Sequence, residues 1–146
     1  MKRLVSVTGA LAVLFSLSLV ACEAEEGGMK TVTLHGNCLK FATGQVGTST
    51  CDETYDVIAE PWCAGKAGLC GNWVKTNAIT LAEVTTPPSS GYISDAGYQD
   101  CQEVDVGDVL VFKLADGSYA KVRVVNVTMD EYECADAVTL EYVHPM

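Results

Sequence analysis

Seven cysteines and two histidines carry most of the reactive chemistry open to this 146-residue chain. Cys38, Cys51, Cys63, Cys70, Cys101 and Cys134 are spread through the body of the sequence, while Cys22 stands apart at the end of an apolar leader. An even set of cysteines in an exported chain reads as disulfides, here three, with the pairing open. Cys63 and Cys70 flank the glycines at 65 and 68, so a local bridge between them is the expected pair. Cys38, Cys51, Cys101 and Cys134 would then pair among themselves. A structural zinc site would need closely spaced thiols or a pair of histidines. The cysteine spacings contain no C-x-x-C, and no metal is expected.

Catalytic chemistry finds little support. There is no G-x-S-x-G, no H-E-x-x-H and no redox C-x-x-C. With the thiols paired and histidines scarce, nucleophilic catalysis lacks its usual base, and the chain is not expected to be an enzyme. Asp95, Asp100, Glu103, Asp105 and Asp108 gather oxygen ligands in one stretch, but without the spacing of a calcium loop, and a solvated acidic loop is expected. Trp62, Trp73, Tyr92 and Tyr98 lie near glycine-rich segments and suit either a ligand surface or core packing.

The N-terminus governs where such chemistry would take place. Met1-Lys2-Arg3 is a basic start, Leu4 to Val20 an apolar run, and Leu19-Val-Ala-Cys22 its end. The pattern is that of a secretory signal peptide. A cysteine directly after Leu-Val-Ala resembles the lipobox of bacterial lipoproteins. That resemblance implies cleavage after residue 21, a lipid on the Cys22 thiol, and a protein held by acyl chains on a membrane of the cell envelope. An outer-membrane or cell-surface position is then expected rather than the cytoplasm. The alternative is ordinary cleavage near Ala21 or Ala24 and a soluble product. A transmembrane helix is not expected, since the run is short and holds three serines and a threonine. The odd cysteine count agrees with the lipobox.

The formal net charge is −10, and loss of Lys2 and Arg3 makes the mature chain more acidic still. Phosphates would repel such a chain, so no nucleic-acid partner is expected. Nor would it lie on an anionic bilayer by charge, which leaves the lipid to hold it. Residues 22–29 are short and acidic and hold Gly27-Gly28, as a flexible tether would. Residues 30–146 are expected to form one domain.

The elements of that domain read as strands. Thr31–His35 alternates and is β-branched, and Tyr55–Ala59 and Trp73–Val84 are further candidates. Residues 86–91 hold paired prolines and form a loop. Val109–Leu114, Tyr119–Thr128 and Ala137–Val143 are separated by short turns, the first of them at Asp116-Gly117, so they predict an antiparallel meander. No segment after the leader has a helical period. The fold class is all-β: an antiparallel sheet or sandwich with a C-terminal meander, braced by disulfides.

Several motifs of this chain fall in the order found in the HmuY family. They are Phe41-Ala-Thr-Gly44-Gln-Val46, Asp56-Val-Ile-Ala59, Thr76-Asn77 and Leu114-Ala-Asp-Gly-Ser-Tyr-Ala-Lys-Val122. Ala115–Lys121 resembles the family's A-D-G-x-Y-A-K hairpin, and Asp56–Ala59 its W-D-I-A-F strand. Tyr55 stands in place of the tryptophan and Glu60 in place of the phenylalanine, and six cysteines are not a family hallmark. The resemblance implies an exported all-β lipoprotein that binds a small ligand, with haem the candidate cofactor. Haem iron takes His, Met, Cys or Tyr as axial ligands. The candidate contacts are His35, Met129 and His144, although no ligand position carries over from the family to either histidine. The competing reading is a structural or interaction lipoprotein that engages another envelope protein and has no small-molecule ligand.

Overall fold

The computed structural model describes residues 28–47, 51, 54–64, 66–93 and 101–146. The leader, Cys22 and most of the tether, together with Asp95, Tyr98 and Asp100, lie outside the described residues. The described residues form ten strands: β1 (Lys30–Leu34), β2 (Cys38–Lys40), β3 (Gln45–Val46), β4 (Val57–Glu60), β5 (Ala67–Cys70), β6 (Trp73–Lys75), β7 (Cys101–Val104), β8 (Val109–Lys113), β9 (Tyr119–Met129) and β10 (Ala135–Val143). They make two five-stranded antiparallel sheets, ordered β1-β10-β9-β8-β6 and β3-β2-β4-β5-β7. Among the described residues no helix is long and apolar enough to cross a membrane.

The meander β8-β9-β10 forms as its pattern dictates. Val109 pairs with Arg123 and Lys113 with Tyr119. The β8–β9 turn closes through Leu114 N–H to Ser118 O (2.9 Å) and Gly117 N–H to Leu114 O (3.0 Å). Gly117 takes φ +85°, where a side chain is strained and glycine is not. Along β9, Ala120, Val122 and Val124 are buried, and the alternate Tyr119, Lys121 and Arg123 are half-exposed.

Apolar residues from both sheets meet in one core. Phe41, just after β2, sets its ring 5.2 Å from Phe112 in β8 and 5.2 Å from Tyr142 in β10. Trp73 is buried beside Phe112 and donates its ring N–H to Leu69 O at 3.1 Å. It is a core residue. Trp62 lies over β5 so closely that a Cβ on Gly68 would meet its ring at 2.6 Å.

One expected strand is corrected. Within Trp73–Val84 only Trp73–Lys75 pairs with β8, and the chain then forms a 3₁₀ turn at Leu81–Glu83. Ala78, Leu81 and Val84 recur every third residue, a spacing that suits one side of a tight helical turn rather than a pleat. Together with Tyr92 they pack on Val109 and Val111, covering the outer face of β8. That explains why Val109–Phe112 is a continuous apolar run instead of an alternating one. The Glu83 carboxylate fixes the turn by accepting from Ile79 N–H at 2.9 Å and the Thr80 hydroxyl at 3.1 Å.

All six body cysteines are bridged, as Cys38–Cys51, Cys63–Cys134 and Cys70–Cys101. Three disulfides form as expected, but the Cys63–Cys70 pair does not. Cys70 faces Cys101 across the β5–β7 ladder. Residues 67–70 run extended in β5 and carry Cys70 away from the β4–β5 loop to its partner strand β7. Cys63 is instead brought to the β9–β10 turn, where Ala135 N–H donates to Trp62 O at 2.7 Å.

Gly117→Val tests the hairpin. Nothing among the described residues lies within 4 Å of a Cβ at this position, so the penalty is one of backbone conformation. It should lower stability by about 1–2 kcal/mol, read as a shifted denaturation midpoint with an unchanged urea slope. A neutral substitution would mean that residue 117 does not hold the left-handed conformation.

Candidate functional site

The titratable side chains gather where the β8–β9 turn meets the end of β10. Antiparallel pairing of Val143 with Lys121 carries His144 back to the start of β9. There its Nε2 lies 3.1 Å from the Ser118 Oγ. Ser118 in turn donates its hydroxyl to Asp116 Oδ1 at 2.6 Å and its backbone N–H to the same oxygen at 2.8 Å. These hydrogen bonds hold the Asp116 carboxyl below the usual range. An ionised carboxylate only accepts, and Ser118 has one hydroxyl proton, which goes to Asp116. Ser118 Oγ therefore accepts from His144 Nε2–H. The three residue types of a hydrolytic triad are present, but the imidazole is a donor to the serine and not its base.

Asp56 closes this end from the other sheet. Its Oδ2 accepts the Phe41 N–H at 2.8 Å. Burial pushes its carboxyl up, against the opposing pull of the Phe41 N–H, Lys40 and His144. Asp56, Asp116 and Ser118 were not among the sequence candidates. Asp116-Gly-Ser118 carries a local signal, an aspartate bonding two residues on, but only the strand pairing brings His144 to it.

His35 and Met129 lie at the opposite end. His35 follows β1 and its Nδ1 stands 3.8 Å from Asp136 Oδ2, in a pair whose side chains are both well exposed. Met129 pairs with Ala135 and packs against the core. Ala135 is in the core and Asp136 is exposed, so His35 and Met129 lie on opposite faces of the sheet. Asp136, which His35 contacts, and His144 are eight residues apart along the β10 strand direction, roughly 26 Å at strand rise. No two of His35, Met129 and His144 converge. They do not supply a pair of axial ligands to one haem iron, and they fit at most one-sided coordination.

Other candidates are tied up locally. Glu103 pairs with Lys66, and Asp108 Oδ1 with Lys75 Nζ at 2.7 Å, a bond that raises the Lys75 ammonium. Asp108 also accepts the Asp105 N–H at 3.0 Å. Glu60 lies near the Cys70 and Cys101 sulfurs, but those are bound to each other and offer no thiolate.

No family model and no curated protein matches the chain. Solved structures do. A candidate HmuY-like haem-binding protein of Bacteroides vulgatus matches with a TM-score of 0.56 at 16% identity, over 81% of this chain and 92% of that one. A candidate lipoprotein of Bacteroides fragilis gives 0.57 at 13%, over 85% and 92%. An apo HmuY analogue of Tannerella forsythia gives 0.54 at 17%, over 83% and 97%. At these identities the likeness is one of fold, and the chain has the HmuY-like fold.

Asp56→Asn tests the electrostatics of the His144 end. A carboxyl raised in the folded state binds its proton more tightly there than in the unfolded chain. Its stabilisation is full below the unfolded value, ordinarily near 3.8, and is lost as pH rises through the folded value. Asparagine does not titrate and still accepts the Phe41 N–H. The variant should therefore gain on the wild type as pH rises from about 4 to 7, read from urea midpoints at each pH. A difference that stays flat, or moves the other way, would show that Asp56 is not destabilised by burial.

Proposed function

We propose that the chain is an exported envelope lipoprotein, held by a lipid on Cys22, whose domain captures a small ligand, with haem the first candidate. The observation that carries this reading is the shared fold with HmuY-like proteins, one of them a candidate haem binder, over nearly the whole of their length. The Ala115–Lys121 hairpin, the most specific of the sequence motifs, forms as that resemblance implies. The disulfides support the anchor, because all six body cysteines are bridged and Cys22 is the cysteine left over. The cell surface or outer membrane is the expected location. The role is one of binding and not of catalysis, in keeping with a serine whose proton is committed to Asp116.

His144 is the best-oriented of the three candidate contacts. Ser118 fixes its ring through Nε2 and leaves Nδ1 facing no partner among the described residues. The His35 ring is held only by an exposed contact to Asp136 at 3.8 Å, too loose to orient it. The separation of the three contacts favours a second reading, a structural or interaction lipoprotein without a small ligand.

A haem titration of the mature domain, followed by absorbance, separates the two. Capture predicts a saturable Soret shift that His144→Ala weakens by about tenfold and His35→Ala leaves alone. A spectrum equal to free haem at every ratio would exclude haem and leave the interaction reading.

Cys22→Ala tests the anchor independently. The wild type should partition into detergent, and the variant should be aqueous or remain uncleaved. Aqueous partitioning of both would remove the lipid from the proposal.

A further inference from the structure

The three disulfides differ in what they join and in what surrounds their sulfurs. Cys70–Cys101 links neighbouring strands β5 and β7, and Cys38–Cys51 stays within the region of β2 and β3, both in the same sheet. Cys63–Cys134 alone ties one sheet to the other, joining the β4–β5 loop to the β9–β10 turn. Cys38 and Cys70 are fully buried, whereas Cys63 is exposed and Cys134 half-buried.

That contrast decides how each bridge meets a thiol. Exchange needs a thiolate to reach one sulfur and the other sulfur to leave as a thiolate. At Cys38–Cys51 and Cys70–Cys101, one sulfur cannot be reached, and if its partner were attacked it would depart as an anion inside an apolar core, which burial strongly disfavours. Cys63–Cys134 has neither obstacle. The backbone beside it is also strained. Ala64, next to Cys63, has φ +65°, and Glu133, next to Cys134, has φ +58°. These are the only non-glycine residues at positive φ among the described residues. Glu133 occupies the place in its turn where glycine is preferred. Opening the bridge frees both residues to leave that conformation, which favours reduction.

We propose that Cys63–Cys134 is a thiol-exchange site, opened by a dithiol reductant while the other two bridges stay closed. The thiolate of the dithiol attacks Cys63 Sγ, the Cys63–Cys134 bond breaks, and Cys134 leaves with the electron pair and takes up a proton. The second thiol of the reductant, losing its own proton, then attacks the mixed disulfide and releases Cys63, which is protonated in turn. Two electrons pass to the protein, and the reductant leaves as a disulfide. Asp130, Glu131 and Glu133 flank Cys134 and repel anions, so a neutral dithiol is preferred over the anionic tripeptide thiol glutathione. Opening removes the covalent tie between the β9–β10 turn and the other sheet at the end that holds His35 and Met129, where the Ala135–Trp62 hydrogen bond and the core packing of Ala135 and Met129 remain. The inference does not depend on any ligand being bound.

The test is differential labelling of the folded mature protein. It is treated with graded dithiothreitol without denaturant, alkylated, and mapped by peptide mass. Cys63 and Cys134 should be labelled at least about tenfold faster than the other four cysteines, with far-UV circular dichroism unchanged. Simultaneous labelling of all six, or earlier labelling of Cys38–Cys51 or Cys70–Cys101, would overturn the proposal. Ala64→Gly relieves the strain beside Cys63 without changing charge and should slow labelling of the pair, and an unchanged rate would remove the strain argument. Reduced glutathione at equal thiol concentration should lag dithiothreitol at this bridge, and an equal rate would remove the charge preference.

Discussion

The two sheets bury their apolar faces against each other, and Phe41 is the wedge between them. Its ring reaches Phe112 and Tyr142 in one sheet while its own chain belongs to the other. A buried aromatic of this kind contributes about 1.5–3 kcal/mol by area, and each aromatic pair roughly 0.5–1.5 kcal/mol more. The same residue sets the polar end of the molecule. Its N–H is the donor that Asp56 accepts, so the position of the core ring and of the carboxylate are fixed by one backbone unit. A shift of Phe41 would therefore disturb the packing between the sheets and the electrostatics around His144 together.

The rest of the candidate chemistry follows from where antiparallel strands end. A meander returns the end of its third strand to the start of its second, and this puts His144 beside Ser118. The same geometry leaves His35 and Met129 at the far end, on opposite faces. Strand interiors are filled with Val, Leu, Ala and aromatic side chains, and the two ends carry the polar contacts. Residues that looked equivalent as single candidates differ because the sheet gives each a fixed end and face.

The meander was legible because its signals are local. Asp116-Gly117 states the turn, and the alternation of Ala120, Val122 and Val124 with Tyr119, Lys121 and Arg123 states the face. Trp73–Val84 misled because its apolar residues are dense enough to suit a strand, while their spacing of three belongs to the tight turn that covers β8. The Cys63–Cys70 pairing failed for a related reason. Closeness in sequence is closeness in space only in a turn, and residues 67–70 are extended. The site around His144 was not legible, because nothing within residues 116–118 refers to residue 144. The relation exists only once β8, β9 and β10 are paired.

The distribution of covalent links follows from strand length. In the sheet β1-β10-β9-β8-β6, β9 has eleven residues and β10 nine, so their ladder is long and continuous. In the other sheet no strand exceeds four residues, and β3 has two. Short strands make few ladder hydrogen bonds and bury little side-chain area per pairing, so such a sheet is marginal without help. Both intra-sheet disulfides fall there, and a bridge of this kind contributes typically about 2–4 kcal/mol. The long sheet contains none. Their sulfurs Cys38 and Cys70 are also part of the buried layer, so each adds apolar packing as well as a link. Four of the six bridged cysteines thus act on the half of the sandwich whose strands are too short to hold by pairing alone, and Cys63–Cys134 ties that half to the long sheet.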